Sequence, residues 1–392
     1  MSIKKFETLA IRQQLEQTAH REHSAPLFLT SSFTFDSAEQ GAAIFKGEEP
    51  GNLYSRFSNP NTQELSTKLT LLEGTEAGMV TASGMAAVFT SMAALLQAGD
   101  HIISCKSIFG NSSYILNNIL PSWGIEVTFV DIHDKEAWAQ AFQSNTKMLY
   151  LETPSNPTLQ IADMQYIGEL TKAHGVIFSV DNCFATPYLQ KPVEFGADLV
   201  IHSATKYIDG QGRVLGGAIV GSKGHVSACY DFVRRTGAAL SPFNAWILSK
   251  SLETLAVRMD RHCSNALAVA EFLNTHSEIT EVTYPGMKSH PQYELAQRQM
   301  LQGGGLVGCQ IKGGQERGAR FLNALKLHSR TANLGDSRSI ATHPASTTHS
   351  KLSAEQQADI NITPGYLRFS VGLEHISDIL TDIDQALLAS KL

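Results

Sequence analysis

The stretch LVIHSATK, residues 199–206, joins a short apolar run to a serine, a threonine and a lysine that follow it directly. Two earlier stretches have the same form. MLYLE at 148–152 leads into TPSNP, and VIFSVD at 176–181 ends in an aspartate that is followed by an asparagine. Short runs rich in β-branched residues that alternate with helical patterns are typical of strand and helix units on a parallel sheet. These stretches therefore predict an α/β fold with a mostly parallel central sheet.

The order of patterns along the chain predicts three parts. Residues 1–60 mix short polar and apolar stretches with glycine, asparagine and proline, which favours an extended arm over a packed helix. Residues 61–250 contain the other strand-like runs of the sheet, which lie at 101–105, 127–130 and 217–221. Residues 251–392 include most of a long helix-like stretch around Ser249 to Phe272. This stretch connects to a last segment with fewer strand-like runs, GLVGCQIK and YLRFSVG, so we expect a smaller α+β domain there.

The composition limits the class of protein. With 392 residues, of which 43% are hydrophobic and 17% charged, the chain can bury a large core and is too long for one compact domain. A formal net charge of -6 without a basic stripe argues against nucleic acid as a partner. The N-terminus lacks the apolar segment of a signal peptide, and no later stretch is long and apolar enough to span a bilayer. We therefore expect a soluble, cytoplasmic protein without a membrane partner.

Cysteine and histidine spacing gives no indication of a metal site. The five cysteines are scattered without a CxxC pair, so we expect reduced thiols and neither a disulfide framework nor a zinc site. His343 and His349 of HPASTTH lack a third ligand at a suitable spacing, which favours packing within a loop over metal binding. We predict no bound metal.

Three polar residues follow predicted strands: Asn156, Asp181 and Lys206. The carboxyl ends of parallel strands meet at one edge of a sheet, where ligands bind. Pyridoxal 5'-phosphate (PLP) requires a lysine amine for an imine, a carboxylate that keeps the pyridinium nitrogen protonated, and hydroxyl and N–H groups for its phosphate. In this hypothesis Lys206 forms the imine and acts as a base, and Asp181 pairs with the ring nitrogen.

A phosphate seat is predicted at Ser83-Gly84-Met85-Ala86-Ala87, where small residues open a helical pattern and expose N–H donors at the positive end of a helix dipole. Ser203 and Thr205 can add hydroxyl groups. Each feature alone has a simpler interpretation: the glycine segment as a turn, Lys206 as a solvated lysine, and Asp181 as a helix cap. The joint order of the glycine segment, asparagine, aspartate and Ser-x-Thr-Lys favours the PLP site.

Four longer stretches resemble one known family. They are SVDNCFATP (179–187), IHSATKYIDGQGRVLGG (201–217), HPASTTH (343–349) and LRFSVGLE (367–374). They look like the Cys/Met-metabolism family of PLP enzymes, which includes cystathionine synthases and lyases, methionine γ-lyase and homoserine-ester sulfhydrylases. The resemblance covers nearly the whole chain. It implies the type I fold of PLP-dependent transferases, which is aspartate-aminotransferase-like, and a homotetramer built from active dimers.

Matched position by position, the resemblance implies roles for single residues. Lys206 forms the Schiff base with PLP, Asp181 meets the pyridine nitrogen, and Asn156 lies near the ring hydroxyl. The residues that match the family's phosphate ligands are Gly84, Met85, Ser203 and Thr205. Tyr54 and Arg56 of YSRFSNP match a pair that reaches the phosphate of a neighbouring subunit, so a monomer is expected to be incompetent.

Arg368 in LRFSVGLE matches the arginine that binds the substrate α-carboxylate through a bidentate pair. The alternative interpretation is a surface or interdomain salt bridge. Asn333 in ANLGDSRS occupies a position where relatives commonly carry a serine beside the substrate carboxylate, and its amide can still donate one hydrogen bond.

Phe109 in SIFGNSSY stands where most relatives stack a tyrosine on the cofactor ring. A phenylalanine keeps the stacking face and loses the phenol that could transfer protons to a γ-leaving group. The leaving group of an ester departs as a carboxylate and needs little protonation, whereas a leaving thiol needs more protonation. Phe109 therefore favours an acyl-homoserine substrate over a lyase reaction.

ANLGDSRS together with DGQGR resembles O-succinylhomoserine sulfhydrylases in particular. Arg213 is a candidate for binding the second carboxylate of a succinyl ester, and the alternative is a loop arginine paired with an acidic neighbour.

The expected reaction is γ-replacement in methionine biosynthesis, in which O-succinylhomoserine and sulfide give homocysteine and succinate. Lys206 would move protons between Cα, the cofactor C4' carbon and Cβ. The open alternatives are cystathionine γ-synthase, O-acetylhomoserine sulfhydrylase, methionine γ-lyase, and a non-catalytic binding protein with a degenerate cofactor site. The sequence leaves the ester and the sulfur donor undetermined.

Overall fold

The computed structural model describes residues 4–350 and 353–391. Its eleven strands in this part of the chain form two sheets. The strands are β1 (Ala77–Thr81), β2 (His101–Cys105), β3 (Glu126–Val130), β4 (Thr146–Glu152), β5 (Ile177–Asp181), β6 (Leu199–Ser203), β7 (Gly217–Gly221), β8 (Ile279–Thr283), β9 (Leu306–Ile311), β10 (Ile340–Thr342) and β11 (Tyr366–Ser370).

The helices surround both sheets. They are α1 (Phe6–Arg12), α2 (Ala38–Lys46), α3 (Pro60–Glu73), α4 (Gly84–Ala93), α5 (Gly110–Tyr114), α6 (Leu120–Ser122), α7 (Lys135–Gln140), α8 (Met164–His174), α9 (Thr186–Leu189), α10 (Lys223–Thr236), α11 (Pro242–Leu252), α12 (Leu255–Thr275), α13 (Tyr293–Gln299), α14 (Gly314–Ala324), α15 (Ala354–Asp359) and α16 (Ile376–Ala389). A π-helical turn lies at Ile115–Ile119, and 3-10 turns lie at Pro192–Phe195 and Pro344–Ser346.

The larger sheet has seven strands in the order β1-β7-β6-β5-β4-β2-β3. β2 to β6 pair in parallel, and β7 runs antiparallel between β1 and β6. β2 and β7 are buried along their whole length, and β5 and β6 nearly so, which explains why their sequences are mostly apolar. The prediction of a mostly parallel central sheet in an α/β fold is confirmed.

The smaller sheet has four antiparallel strands in the order β10-β11-β9-β8. Its apolar face packs with α12, α14 and α16 in a second hydrophobic cluster that contains Val269, Phe321, Phe369 and Ile383. This part agrees with the predicted α+β region. The boundaries at residues 60 and 250 stay a prediction, because α12 contributes Met259 to the large-sheet core and Val269 to the second cluster.

Two predicted elements are wrong. The first 60 residues contain helices rather than only an extended arm: α1 packs against α3 and α12 and buries Ala10, and the Phe6 ring lies 5.1 Å from the Tyr188 ring. The long helical stretch around Ser249 to Phe272 is two helices, since α11 ends at Leu252 and α12 begins at Leu255. An apolar pattern that continues through both helices conceals this break.

Within the described residues, no helix is both long enough and apolar enough to cross a membrane.

Candidate active site

A cavity of about 240 Å³ lies at the carboxyl ends of β4, β5 and β6. It brings together ten of the predicted site residues. These are Ser83, Gly84, Met85, Phe109, Asn156, Asp181, Ser203, Thr205, Lys206 and Arg368. The remaining wall residues are Val88, Asn111, Ser112, Glu152, Cys183, Phe184, Leu215, Ala332, Leu334 and Thr348. The parallel sheet thus places side chains from distant parts of the sequence in one cavity.

Lys206 follows β6 and directs its amine toward the segment that precedes β10. The Lys206 Nζ donates to Asn333 Oδ1 at 2.6 Å. Burial is the main cause that lowers the pKa of Lys206; the Cys183 side chain opposes this, and the Arg368 guanidinium adds to it. A lowered pKa increases the neutral fraction of the amine, which is the form that acts as a nucleophile or base.

Asp181 is the last residue of β5. Its Oδ1 accepts from the Cys183 backbone N–H at 3.0 Å, and its Oδ2 accepts from the Tyr150 hydroxyl at 3.4 Å. Burial raises the pKa of Asp181 to about 6, while the Cys183 N–H, the His202 ring and the Tyr150 hydroxyl act in the opposite direction. A cationic group in the cavity would favour the ionised form of Asp181 further.

The predicted phosphate seat lies at the start of α4. Ser83 is the N-cap of this helix, and its side chain accepts from the Ala86 N–H at 3.1 Å. Gly84 approaches β6 so closely that a Cβ atom at this position would lie 2.5 Å from the Ser203 Cβ. Only glycine permits this approach. The helix N-terminus and the hydroxyl-bearing residues Ser203 and Thr205 therefore share one end of the cavity, an arrangement that fits a phosphate.

Arg368 lies on β11 and is only 2% exposed. One terminal nitrogen donates to Asn156 Oδ1 at 2.7 Å, and the other donates to the Asn333 backbone oxygen at 3.5 Å. Its Nε is buried without a hydrogen-bond partner, and no carboxylate of the described chain lies within ion-pair distance of the guanidinium. The salt-bridge alternative therefore has no partner in residues 4–350 and 353–391. An anionic ligand would satisfy the free donor.

Asn333 contacts Lys206 but is not one of the residues that line the cavity. Its side-chain oxygen is directed to the lysine, where the sequence predicted a position beside the substrate carboxylate.

Arg213 also lies outside the cavity wall. Its Nε donates to Asp209 Oδ1 at 3.0 Å, and its guanidinium also bonds to the Asp209 backbone oxygen and to the Ser251 hydroxyl. This is the loop ion pair that the sequence left open as the alternative.

Tyr54 and Arg56 do not line the cavity of their own chain. The Arg56 guanidinium lies 4.7 Å from the centre of the Phe57 ring and donates to the Arg234 backbone oxygen. The Tyr54 side chain is 44% exposed. The predicted contact with a neighbouring subunit stays a prediction.

The histidines of HPASTTH are hydrogen-bonded within their own region. His343 Nδ1 lies 2.8 Å from the Ser346 hydroxyl, and its Nε2 lies 2.8 Å from the Pro364 backbone oxygen. His349 Nδ1 lies 2.8 Å from the Thr348 hydroxyl. The five cysteines are buried and unpaired.

Several residues of the cavity were missed by the sequence interpretation. The cavity wall also contains Glu152, Ser112, Cys183 and Thr348. Tyr150 is not part of the wall, but its hydroxyl donates a hydrogen bond to Asp181. Glu152 and Cys183 had a signal, because one ends the MLYLE strand and the other follows Asp181 closely. Ser112 and Thr348 lie in segments without a strand-end pattern, and their place depends on how distant loops pack.

Residues 7–388 match the sequence model of a family described as Cys/Met metabolism PLP-dependent enzyme. Among curated proteins, the chain is 43% identical to the O-succinylhomoserine sulfhydrylase of Pseudomonas aeruginosa, over 98% of this chain and 95% of that one. It is 44% identical to the L-methionine gamma-lyase of Pseudomonas putida, over 93% of this chain and 92% of that one. A solved Campylobacter jejuni structure, assigned as an O-acetylhomoserine (thiol)-lyase with N'-pyridoxyl-lysine-5'-monophosphate, matches at a TM-score of 0.95 and 34% identity, covering 98% of this chain and 100% of that one.

Proposed function

We propose that this chain, which belongs to the Cys/Met metabolism family of PLP-dependent enzymes, replaces the succinyloxy group on the γ-carbon of O-succinylhomoserine with sulfide to give homocysteine and succinate. PLP is its cofactor, and the chain acts in sulfur amino-acid metabolism. Its relatives include both a sulfhydrylase and a lyase. Between replacement and elimination at the γ-carbon, we propose replacement.

Phe109 is the residue on which the proposed preference for an ester substrate depends. It lines the cavity, and no tyrosine of the described residues is part of the cavity wall. The Tyr150 hydroxyl is directed instead to Asp181 and Ser112, at 3.4 Å and 3.5 Å. A leaving group that requires little protonation is therefore favoured, and a carboxylate such as succinate meets this condition better than a thiol.

The residues of the cavity have separate tasks in this proposal. PLP, when bound, supplies an electron sink that stabilises negative charge next to the substrate amine. Asp181, as an anion, would pair with the pyridine nitrogen of PLP and keep it protonated. Arg368 binds the α-carboxylate through its unpaired donor, and Ser203, Thr205 and the start of α4 bind the phosphate.

Lys206 is the residue that binds the cofactor and moves protons at the substrate carbon atoms. Its buried amine has a lowered pKa, and Asn333 holds it at 2.6 Å. A neutral amine in a fixed position is the requirement for a general base at neutral pH.

Product analysis tests the proposed reaction. The purified PLP-loaded protein is incubated with O-succinylhomoserine or O-acetylhomoserine, and with sulfide or cysteine, and homocysteine and cystathionine are quantified. We expect the highest kcat/KM for O-succinylhomoserine with sulfide. A higher value for the acetyl ester would indicate an O-acetylhomoserine sulfhydrylase, and cystathionine as the main product would indicate a cystathionine γ-synthase. Either result contradicts the proposal.

Methionine γ-lyase activity is the second candidate because a lyase is 44% identical to the chain. Faster release of α-ketobutyrate and ammonia from methionine than of homocysteine from the ester would favour it. Phe109→Tyr provides a matched variant, since it restores the phenol on the same ring. We expect this variant to increase methionine cleavage relative to ester replacement. A colourless protein that does not change with added PLP would support the degenerate binding protein instead.

A further inference from the structure

We infer that Glu152 is a positioning residue of the cofactor site: its carboxyl group, in the protonated form, fixes Phe109 in the cavity wall and adds no second negative charge beside Asp181. This role of Glu152 belongs to the cofactor cavity and is independent of which ester or sulfur donor the enzyme uses.

The hydrogen bond to Phe109 is the first observation. Glu152 Oε2 accepts from the Phe109 backbone N–H at 2.7 Å, and Glu152 is only 3% exposed. Phe109 precedes the five-residue helix α5 as its N-cap and has no side-chain cap of its own. Glu152 therefore supplies from β4 the acceptor that this helix start lacks. Loss of this acceptor would leave a partly buried N–H donor without its protein partner.

The position of Glu152 beside Asp181 is the second observation. The two residues end adjacent parallel strands in direct register, and both line the cavity. Two buried carboxylates at neighbouring positions repel each other, so one of them keeps its proton. Asp181 has two hydrogen-bond donors, the Cys183 N–H and the Tyr150 hydroxyl, and Glu152 has the single donor described above.

The groups around Glu152 favour a proton on Glu152 and an ionised Asp181. The titratable groups that influence it or respond to it are Asp181, Arg368, Tyr150, Cys105 and Cys183. Arg368 is the single cation of this set, and its two terminal nitrogens donate to Asn156 and to a backbone oxygen. Burial and the nearby Asp181 raise the pKa of Glu152 well above its usual range, against the Phe109 N–H and Arg368. A protonated carboxyl still accepts a hydrogen bond through its carbonyl oxygen.

Two substitutions separate the acceptor from the charge. Glu152→Gln keeps a carbonyl acceptor and is always neutral, whereas Glu152→Ala removes the acceptor. The dissociation constant of PLP is measured by titrating cofactor-free protein and following absorbance. Because Phe109 loses the hydrogen bond that fixes it in the cavity wall, we expect PLP binding to be about tenfold weaker in Glu152→Ala and to change by less than about threefold in Glu152→Gln.

A control variant, a double substitution and infrared spectra distinguish this role of Glu152 from a general loss of structure. Glu126→Gln changes an exposed glutamate on the same sheet and should leave PLP binding unchanged. If Glu152 acts through Phe109, Glu152→Ala should have little additional effect on PLP binding in a Phe109→Ala background. Infrared spectra of the wild type and of Glu152→Gln at pH 7 should differ by the band of one protonated carboxyl group, a test that remains if Glu152→Ala does not fold.

Three outcomes would overturn the inference. Equal losses of PLP binding in Glu152→Gln and Glu152→Ala would mean that the ionised carboxylate is required. Wild-type PLP binding in a folded Glu152→Ala protein would mean that the hydrogen bond to Phe109 does not position the site. An infrared difference from a carboxylate instead of a protonated acid would place the proton elsewhere.

Discussion

At the scale of single residues, the position of the Lys206 amine depends on Asn333. The side-chain oxygen of Asn333 lies 2.6 Å from Nζ, and Asn333 reaches it from outside the cavity wall. A base that is free to rotate spends less time in the geometry for proton transfer, so its acceptor contributes to the rate.

We expect Asn333→Ala to lower kcat about tenfold, the effect of losing one hydrogen bond that fixes the base, with a smaller change in KM. Asn333→Ser, whose shorter side chain keeps a hydroxyl oxygen that can accept a hydrogen bond, is the matched control and should retain more of the rate. Steady-state kinetics with O-succinylhomoserine and sulfide measure both. An unchanged kcat in Asn333→Ala would show that Lys206 does not need this acceptor.

The sequence predicted half of the residues that line the cavity, ten of twenty, and assigned a different role to Arg213, which lies outside it. Strand ends are visible in a sequence, which is why Asp181, Lys206 and Asn156 could be predicted to meet. The direction of a loop side chain is not visible. Arg213 was a candidate for the substrate because a guanidinium suits a carboxylate, but Asp209, four residues earlier, already binds it. Local partners of this kind are decided by loop conformation.

At the scale of secondary-structure elements, the contact between α4 and β6 defines the phosphate end of the cavity. Gly84 at the start of α4 meets Ser203 at the end of β6, and a Cβ atom on Gly84 would lie 2.5 Å from the Ser203 Cβ and 2.6 Å from its Oγ. The start of the helix could accommodate a side chain only by moving away from the strand.

We expect Gly84→Ala to weaken PLP binding about tenfold or more, because overpacking of this kind costs about 1–3 kcal/mol and displaces the N–H donors of the helix. Gly224→Ala is the control: Gly224 lies at the start of α10, and a Cβ atom added there would have no neighbouring atom within 4 Å, so this variant should bind PLP normally. Equilibrium titration of cofactor-free protein measures both variants. Normal PLP binding by Gly84→Ala would show that the seat tolerates the displacement.

The carboxylate of Asp382 on α16 holds the loop that follows α14. Its oxygens accept from the N–H groups of Lys326, Leu327 and His328 and from the His328 ring. Although burial opposes the effect, these hydrogen bonds hold the pKa of Asp382 below its usual range. The stabilisation is therefore present above the unfolded-state pKa of about 3.9 and is lost as the pH falls through the lower folded-state value.

We expect Asp382→Asn to lower the free energy of unfolding at pH 7 by about 1–3 kcal/mol, because an amide cannot accept all of these bonds. The difference from the wild type should shrink as the pH falls below about 4, where the unfolded carboxyl is protonated. Thermal unfolding at several pH values measures this. A difference that stays constant down to acidic pH would contradict the assigned charge.

The elements themselves were predictable where burial is continuous. The runs at 101–105, 199–203 and 217–221 coincide with β2, β6 and β7, because buried strands of a covered sheet consist mostly of apolar residues. β1, β8 and β10 were not predicted. β1 and β8 are partly exposed, and β10 has three residues, so their patterns are weak. The helices of the first 60 residues were missed because α1 gains its stability from packing on α3 and α12.

At the scale of the whole molecule, the cavity has contributions from both sheets: Lys206 and Asp181 come from the large sheet, and Arg368 comes from the small one. Tyr54 and Arg56 are separate from the cavity of their own chain. The expectation from the family resemblance is that these two residues complete the phosphate site of a neighbouring subunit.

Mixed oligomers test this sharing of the site. Arg56→Ala and Lys206→Ala subunits should each form oligomers of low activity. In a mixed dimer, one site would combine both substitutions and the other would have neither. Random mixing makes about half of the dimers mixed, and half of their sites are complete, so we expect about a quarter of the wild-type activity. Activity no greater than the sum of the two parents would show that Arg56 does not act across a subunit interface.

At the scale of the whole molecule, sequence motifs predict the family and the cofactor but not the ester or the sulfur donor. The family, the fold class and the cofactor follow from motifs that extend over the chain, and the comparisons confirm them. The ester and the sulfur donor depend on how the cavity wall discriminates between substituents at the γ-carbon. Loops distant in sequence, represented by Leu215, Leu334 and Thr348, form much of that wall. No short motif encodes their combined shape.

The central claim is that Lys206 is the residue that binds PLP in a cavity that it shares with Asp181. Borohydride reduction of the PLP-loaded protein converts the imine to a stable pyridoxyl-lysine, and peptide mass mapping then locates the modified lysine. We expect the label on the peptide that contains Lys206 and no label in Lys206→Ala. A label on another lysine, or an unchanged label in Lys206→Ala, would contradict it.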